Sequence, residues 1–143
     1  MTENWIIPCN IKFFDLPRHF EQRKTVVWRK AFAIHKGDIA YIYISSPYCE
    51  IRYKCLVIND QVDDELLRAN PYAISTKSSH NGISKKENYI EMEYICEYPK
   101  GTFPLEKLRE QGLGQVQIQA RTDRKLQAYL LDVESHLGKG GGN

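Results

Sequence analysis

Five short segments of the chain alternate apolar with polar residues or concentrate β-branched and aromatic residues, and both patterns predict β-strands. The segments are NWIIP (4–8), TVVWR (25–29), IAYIYIS (39–45), EIRYKCLVI (50–58) and YIEMEYICEYP (89–99). The sequence Gly37-Asp38 predicts a turn into the third segment, and the fourth segment is the expected antiparallel neighbour of the third.

The fourth segment has a two-residue period, which is typical of a half-exposed strand. Its apolar and basic side chains are predicted to lie on opposite faces of the sheet. The predicted apolar face carries Ile51, Tyr53, Cys55 and Val57, and the predicted solvent face carries Arg52 and Lys54.

Helix signals occupy four other segments. They are DLPRHFEQRK (15–24), DDELLRA (63–69), PLEKLREQG (104–112) and RTDRKLQAYLLDVESHL (121–137). Asp15 is placed to cap the first helix, and Thr122 or Asp123 is placed to cap the last one. The last helix is expected to be apolar along one side, which carries Leu126, Tyr129, Leu130 and Val133.

The order of these elements predicts an α+β fold. A mixed or mostly antiparallel sheet of five or six strands, able to curl into a barrel, would have the helices on its outside. The 143 residues suit one domain, which we place at residues 1–137. The remaining GKGGGN (138–143) predicts a flexible glycine-rich tail, and the pattern fits a linker to a further domain as well as a frayed end.

The formal net charge of +2 is too small to indicate a strongly basic nucleic-acid-binding protein, so any basic surface must be local. Two groups of basic residues satisfy this condition. One group is Arg18, Arg23, Lys24, Arg29 and Lys30, and the other is Lys77, Lys85 and Lys86 in the polar segment TKSSHNGISKKEN (76–88). A solvated helix surface is the alternative explanation for the first group.

The four cysteines and four histidines lack the spacings of zinc or redox sites, which predicts free thiols and no metal or other cofactor. We find no leader sequence and no apolar run long enough for a membrane span, so we expect a cytoplasmic protein with no membrane partner. The acidic segment NDQVDDE (59–65) is more typical of a helix start than of a catalytic pair. These patterns favour a binding domain over an enzyme.

An ordered series of motifs resembles the EVE domains of the PUA-like superfamily, which also contains the YTH and SRA readers of modified nucleic acids. The motifs are NWII followed by Asn10, then VVWRK, IHKGDIAYIYISS, NPYAISTKS and FPLEKLREQGLGQVQIQARTDRKLQAYL. They span nearly the whole chain. The sequence departs from the family after Trp28, where RKAFA replaces an Asn-rich helix start, and at RYKC, which replaces a glycine-rich strand.

The resemblance implies a PUA-like pseudo-barrel with a pocket for one base flipped out of a nucleic acid. Modified DNA, carrying 5-methylcytosine or 5-hydroxymethylcytosine, is the favoured partner, in the context of a modification-dependent restriction system with a nuclease domain fused C-terminally. The implied pocket residues are Trp28, Asn10, Ser45, Ser46 and Tyr43, and the implied phosphate contacts are Arg29, Lys30, Lys77, Lys85 and Lys86.

Four of the five pocket residues also have a purely structural interpretation. Trp28 can belong to the core, Asn10 can cap or turn the chain, and Ser45 and Ser46 before Pro47 can form the turn that ends a strand. Trp5 is predicted to be core. A protein-interaction domain and a reader of modified RNA remain open as alternatives to a reader of modified DNA.

Overall fold

The computed structural model describes residues 2–69 and 89–141, with side chains up to residue 137. In these ranges the strands are β1 (Asn4–Cys9), β2 (Thr25–Arg29), β3 (Ile39–Ile44), β4 (Glu50–Asn59), β5 (Tyr89–Glu97) and β6 (Ala120–Arg121). The helices are α1 (Leu16–Gln22), α2 (Asp64–Arg68), α3 (Leu105–Glu110) and α4 (Arg124–Gly141). All five predicted strands and all four predicted helices are confirmed, whereas β6 was missed.

The strands form one sheet in the order β2, β5, β4, β3, β1, β6. Strands β1 and β3 are parallel, and every other neighbouring pair is antiparallel. This arrangement confirms the α+β class with a mostly antiparallel sheet.

Each face of the sheet carries a hydrophobic core. On one face, α1 covers a cluster that we call the α1 core, which comprises Trp5, Ile7, Cys9, Leu16, Phe20, Val26, Ile34, Ala40, Ile42, Ile44, Tyr53, Cys55, Val57, Ile90 and Met92. On the other face, α3 and α4 cover the α4 core, which comprises Ile6, Tyr41, Tyr43, Ile51, Tyr98, Phe103, Leu108, Leu113, Leu126 and Leu130. Each large apolar side chain buried in this way stabilises the fold by about 1.5–3 kcal/mol.

A β-bulge changes the predicted face of Ile51. Ile42 pairs with Tyr53, but the next residue, Tyr43, pairs with Ile51, so Arg52 is an extra residue in β4. Because side chains alternate along a strand, one extra residue reverses the faces beyond it. The prediction that Ile51 shares a face with Tyr53 is therefore wrong: Tyr53 lies in the α1 core, and Ile51 lies in the α4 core.

The predicted caps are present on two helices. Asp15 Oδ1 accepts a hydrogen bond of 3.2 Å from the backbone N–H of Arg18, and Asp123 Oδ1 accepts one of 2.8 Å from that of Leu126. The predicted apolar side of α4 packs in or against the α4 core. Helix α4 continues to Gly141, into the segment predicted as a flexible tail.

The curvature of the sheet follows from a contact between its two edges. A flat six-stranded sheet would hold β2 and β6 roughly 24 Å apart. Gln119, which directly precedes β6 and is only 7% exposed, instead reaches the end of β2. Its Oε1 accepts a hydrogen bond of 2.8 Å from Ala31 N–H, and its Nε2 donates one of 2.8 Å to the Arg29 carbonyl. The sheet is therefore curled, and the Gln119 carboxamide joins its two edges. We call this junction between β2 and β6 the seam.

Candidate functional site

The carboxyl ends of β1 and β3 meet at one edge, because these two strands are parallel and Cys9 pairs with Ile44. The next residues, Asn10 and Ser45, therefore lie side by side. The Ser45 backbone N–H donates to the Cys9 carbonyl at 3.0 Å, and Ser45 Oγ accepts a long hydrogen bond of 3.4 Å from Ile11 N–H. The structure thus brings together two of the predicted pocket residues.

Asn10 begins a tight turn and keeps part of its side chain available. Its Oδ1 accepts a hydrogen bond of 3.0 Å from Lys12 N–H, and its carbonyl accepts from Phe13 and Phe14. The side chain is exposed, and its amide nitrogen donates to no residue that the structure describes. The Ser45 hydroxyl proton likewise has no acceptor within residues 2–69 and 89–141. Both side chains can still offer a donor to a ligand.

Aromatic rings adjoin this strand edge. The turn that begins at Asn10 brings in Phe14, whose ring centroid lies 5.4 Å from that of Trp28 with the planes tilted by 49°. Phe14 also contacts His19, with centroids 5.3 Å apart. Trp28 is half-buried and packs against the α1 core. It therefore fits both sequence-based interpretations in part, that of a core residue and that of a pocket residue. Part of the indole supports the core and part remains accessible. We call Asn10, Phe14, Trp28 and Ser45 the strand-end group.

The other two predicted pocket residues lie apart from this arrangement. Ser46 is exposed in the turn that follows β3, where Tyr48 N–H donates to the Ser45 carbonyl at 3.1 Å. Tyr43 is 3% exposed and lies in the α4 core, on the face of the sheet opposite to Trp28. Burial, with a contribution from Cys49, raises the pKa of Tyr43 to about 12. The structure therefore does not bring Tyr43 to the strand-end group.

The predicted phosphate contacts are only partly within the described residues. Arg29 is exposed at the end of β2, and the Lys30 Nζ donates to the Ile34 carbonyl at 3.1 Å. Lys77, Lys85 and Lys86 lie outside the described residues. Of the other basic residues, Arg18 and Arg23 are exposed at α1, and Lys24 lies 4.4 Å from the centre of the Tyr94 ring.

At the opposite end of the β1 and β3 pair, the central group is the carboxylate of Asp38, a role that the sequence analysis did not predict. Asp38 is 2% exposed, and its Oδ2 accepts hydrogen bonds of 2.9 Å from both Trp5 Nε1 and the His35 backbone N–H. Its Oδ1 accepts one of 3.0 Å from Glu3 N–H. Trp5 is 6% exposed, which confirms its assignment to the core. This end is held together by bonds within the protein.

A second polar cluster joins α4 to the sheet. Lys54 Nζ lies 3.1 Å from Glu134 Oε2, and the Tyr98 hydroxyl donates to the same carboxylate. Burial and the neighbouring Glu134 raise the pKa of Tyr98 above its usual value. These groups satisfy one another, so the cluster docks the helix. No set of three histidine, cysteine, aspartate or glutamate residues within the described ranges is arranged to hold a metal ion. Over the same ranges, no helix combines the length and the apolar character that crossing a membrane requires.

No protein-family model matches the chain, and no curated protein matches it in sequence. Solved structures do match it in three dimensions. A hypothetical protein from Leishmania major superposes with a TM-score of 0.64 at 16% identity, over 95% of this chain and 96% of that one. A variant of the ASCH protein from Zymomonas mobilis gives a TM-score of 0.62 at 12% identity, over 92% and 96% of the two chains.

Human THYN1, solved in complex with DNA that contains 5-methylcytosine, gives a TM-score of 0.61 at 13% identity. The match covers 93% of this chain and 98% of THYN1. At such low identities a structural likeness establishes a common fold and nothing finer. The chain has the PUA-like α+β fold that the sequence motifs predict, and these neighbours share that fold.

Proposed function

We propose that this chain is a reader module that binds nucleic acid and holds one modified base flipped out of its strand, with 5-methylcytosine or 5-hydroxymethylcytosine in DNA favoured. The observation that carries the proposal is the strand-end group. Its half-buried indole contacts Phe14, the Phe14 backbone bonds to the Asn10 carbonyl, and Asn10 lies beside Ser45. The Asn10 and Ser45 side chains keep donors that no described residue uses. A structural neighbour bound to 5-methylcytosine-containing DNA gives it independent support.

The roles follow from the chemistry of a flipped base. Unstacking the base costs a few kcal/mol, and stacking on an aromatic face returns about 1–3 kcal/mol. Trp28 would supply that face, with Phe14 fixing its orientation. Asn10 and Ser45 would bond the polar edge of the base. Ser46 remains a candidate for the same edge. A single methyl group contributes only about 0.8 kcal/mol on burial, so discrimination by the methyl alone should be modest.

Arg29 and Lys30 directly follow Trp28 in the chain and would meet the phosphates beside the flipped base, together with Lys77, Lys85 and Lys86. Such contacts supply affinity without sequence preference and make binding depend on salt. In this proposal the chain binds and does not catalyse. It would act as the specificity domain of a modification-dependent restriction endonuclease, with a nuclease domain joined at its C-terminal side.

The test is titration of Trp28→Ala with short DNA and RNA oligonucleotides that carry cytosine, 5-methylcytosine or 5-hydroxymethylcytosine. Loss of stacking should weaken binding of the modified DNA by about 5- to 150-fold. Trp28→Phe, which keeps an aromatic face, is the matched variant and should retain most of the affinity. Thermal unfolding of both variants separates binding from stability.

Two results would contradict the proposal. Full retention of modified-base binding by Trp28→Ala would remove the indole from the site. Wild-type binding with neither a salt dependence nor a preference for the modified base would instead favour a protein-interaction domain. A preference for modified RNA would support the base pocket but identify RNA, not DNA, as the nucleic acid.

A further inference from the structure

Phe32 presents an exposed aromatic ring on a rigid support. Its side chain is 46% exposed, and its ring stacks nearly parallel on that of Trp5, with centroids 6.3 Å apart and planes inclined by 15°. Trp5 is itself buried, and Asp38 fixes its indole N–H. Contact with this fixed indole restricts the orientations of the Phe32 ring, which lowers the entropy cost of stacking a ligand on it.

The loop that carries Phe32 is anchored on both sides. Gln119 holds the Ala31 backbone, as described for the seam. Lys30 Nζ and the Ile34 carbonyl close the loop, and Ile34 is fully buried in the α1 core. This loop begins in the RKAFA stretch, where the sequence departs from the EVE pattern, so nothing in the family resemblance assigns a role to Phe32.

Basic residues are neighbours of Phe32 in the chain and of Trp5 in the sheet. Arg29 and Lys30 precede it in the chain, and Arg121 is the direct cross-strand partner of Trp5. Because directly paired residues project from the same face of a sheet, Arg121 shares a face with Trp5, the residue on which Phe32 stacks. The Arg121 side chain is 62% exposed, and among the described residues its one ion pair is a long one, of 3.8 Å, with Glu3. An exposed aromatic ring with adjacent cations suits an unpaired base and its phosphate.

We propose that Phe32 is a second stacking platform, which receives a nucleobase flanking the modified base held at Trp28, while Arg121 meets the adjoining phosphate. This inference rests on the proposed function. Phe32 is four positions beyond Trp28 in the chain, which limits the distance between their Cα atoms to about 14 Å. One short oligonucleotide can therefore reach both rings.

The experiment compares oligonucleotides that carry one 5-methylcytosine and a single abasic position at each neighbouring site in turn. For the wild-type protein, an abasic residue at one flanking position should weaken binding by about 5- to 150-fold. Phe32→Ala should bind the intact oligonucleotide more weakly by a similar factor and should not respond to that abasic position. Leu131→Ala, which alters an apolar side chain of similar exposure on α4, should behave like the wild type.

Phe32→Leu keeps apolar cover over Trp5 without the aromatic face, so it should melt like the wild type and bind like Phe32→Ala. The subsite is overturned if Phe32→Ala and Phe32→Leu bind the intact oligonucleotide as the wild type does and remain sensitive to the same abasic position. Failure of the proposed function has another signature, because the wild-type protein would then show no preference for the methylated oligonucleotide over the unmethylated one.

Discussion

The two ends of the paired strands β1 and β3 contain similar kinds of residue but use them differently. At the amino end, a tryptophan and a carboxylate bond each other: Asp38 accepts from Trp5, His35 and Glu3, and it is 2% exposed. At the carboxyl end, Trp28 is half-buried, and Asn10 and Ser45 keep donors that no described residue uses. Burying an unpaired polar group is costly, so polar groups with unused donors remain accessible to solvent or to a ligand.

The difference teaches where to look for function in this fold. A polar residue whose hydrogen bonds are all made within the protein stabilises the structure, and its substitution should lower the free energy of unfolding. A polar residue that has an unused hydrogen-bond donor and lies next to an accessible aromatic ring should contribute to ligand binding, and its substitution should weaken that binding. The predictions that follow test this separation.

The largest effect on stability is expected for Asp38→Ala. The substitution leaves three donors without their acceptor in a buried position, and it should lower the free energy of unfolding by about 3–4 kcal/mol. Chemical denaturation measures this loss. Asp60→Ala is the control, because the Asp60 carboxylate is more exposed and accepts one backbone hydrogen bond from the described residues, that of Lys36. A loss for Asp38→Ala no larger than the loss for Asp60→Ala would contradict the structural role of the amino end.

A smaller effect is expected for Trp5→Phe. The variant loses the buried indole hydrogen bond to Asp38, which should lower the free energy of unfolding by about 1.5–3 kcal/mol, while the carboxylate keeps two other donors. Trp28→Phe removes no hydrogen bond to a described residue and should cost less in the same denaturation series. Equal losses for the two tryptophans would mean that the two ends do not differ as described.

The smallest effect on stability is expected for Ser45→Ala. The only hydrogen bond to its hydroxyl from a described residue is long, at 3.4 Å, so the free energy of unfolding should change by less than about 0.5 kcal/mol. Binding of the methylated oligonucleotide should weaken by about 2- to 12-fold, the value of one hydrogen bond. Ser46→Ala, in the exposed turn, distinguishes the two serines. Unchanged binding by Ser45→Ala would remove this hydroxyl from the proposed site.

Much of the fold is predictable from local patterns. The strand and helix segments follow from periodicity, and Asp15 and Asp123 cap their helices because the carboxylate reaches backbone N–H groups two or three residues ahead. Local patterns also place Asn10 after the first strand and Ser45 at the end of the third. The parallel pairing that places them side by side is a property of the tertiary structure.

The remaining features depend on contacts between distant residues. Nothing in EIRYKCLVI marks Arg52 as the extra residue of a bulge, so Ile51 was assigned to the wrong face. Phe14 joins Trp28 only because the turn at Asn10 directs the chain toward β2. The buried role of Gln119 spans about ninety residues of sequence and leaves no periodic signal.

The hydrogen bonds of Gln119 also make opening of the seam measurable by amide exchange. Backbone ladders protect most strand amide protons from exchange with solvent deuterium, but the amide proton of Ala31 is held by a side chain from the other edge. That proton exchanges when the seam opens, even if every strand remains paired with its neighbours. The exchange rate at Ala31 therefore measures how often the two edges of the curled sheet separate beside Trp28 and Phe32.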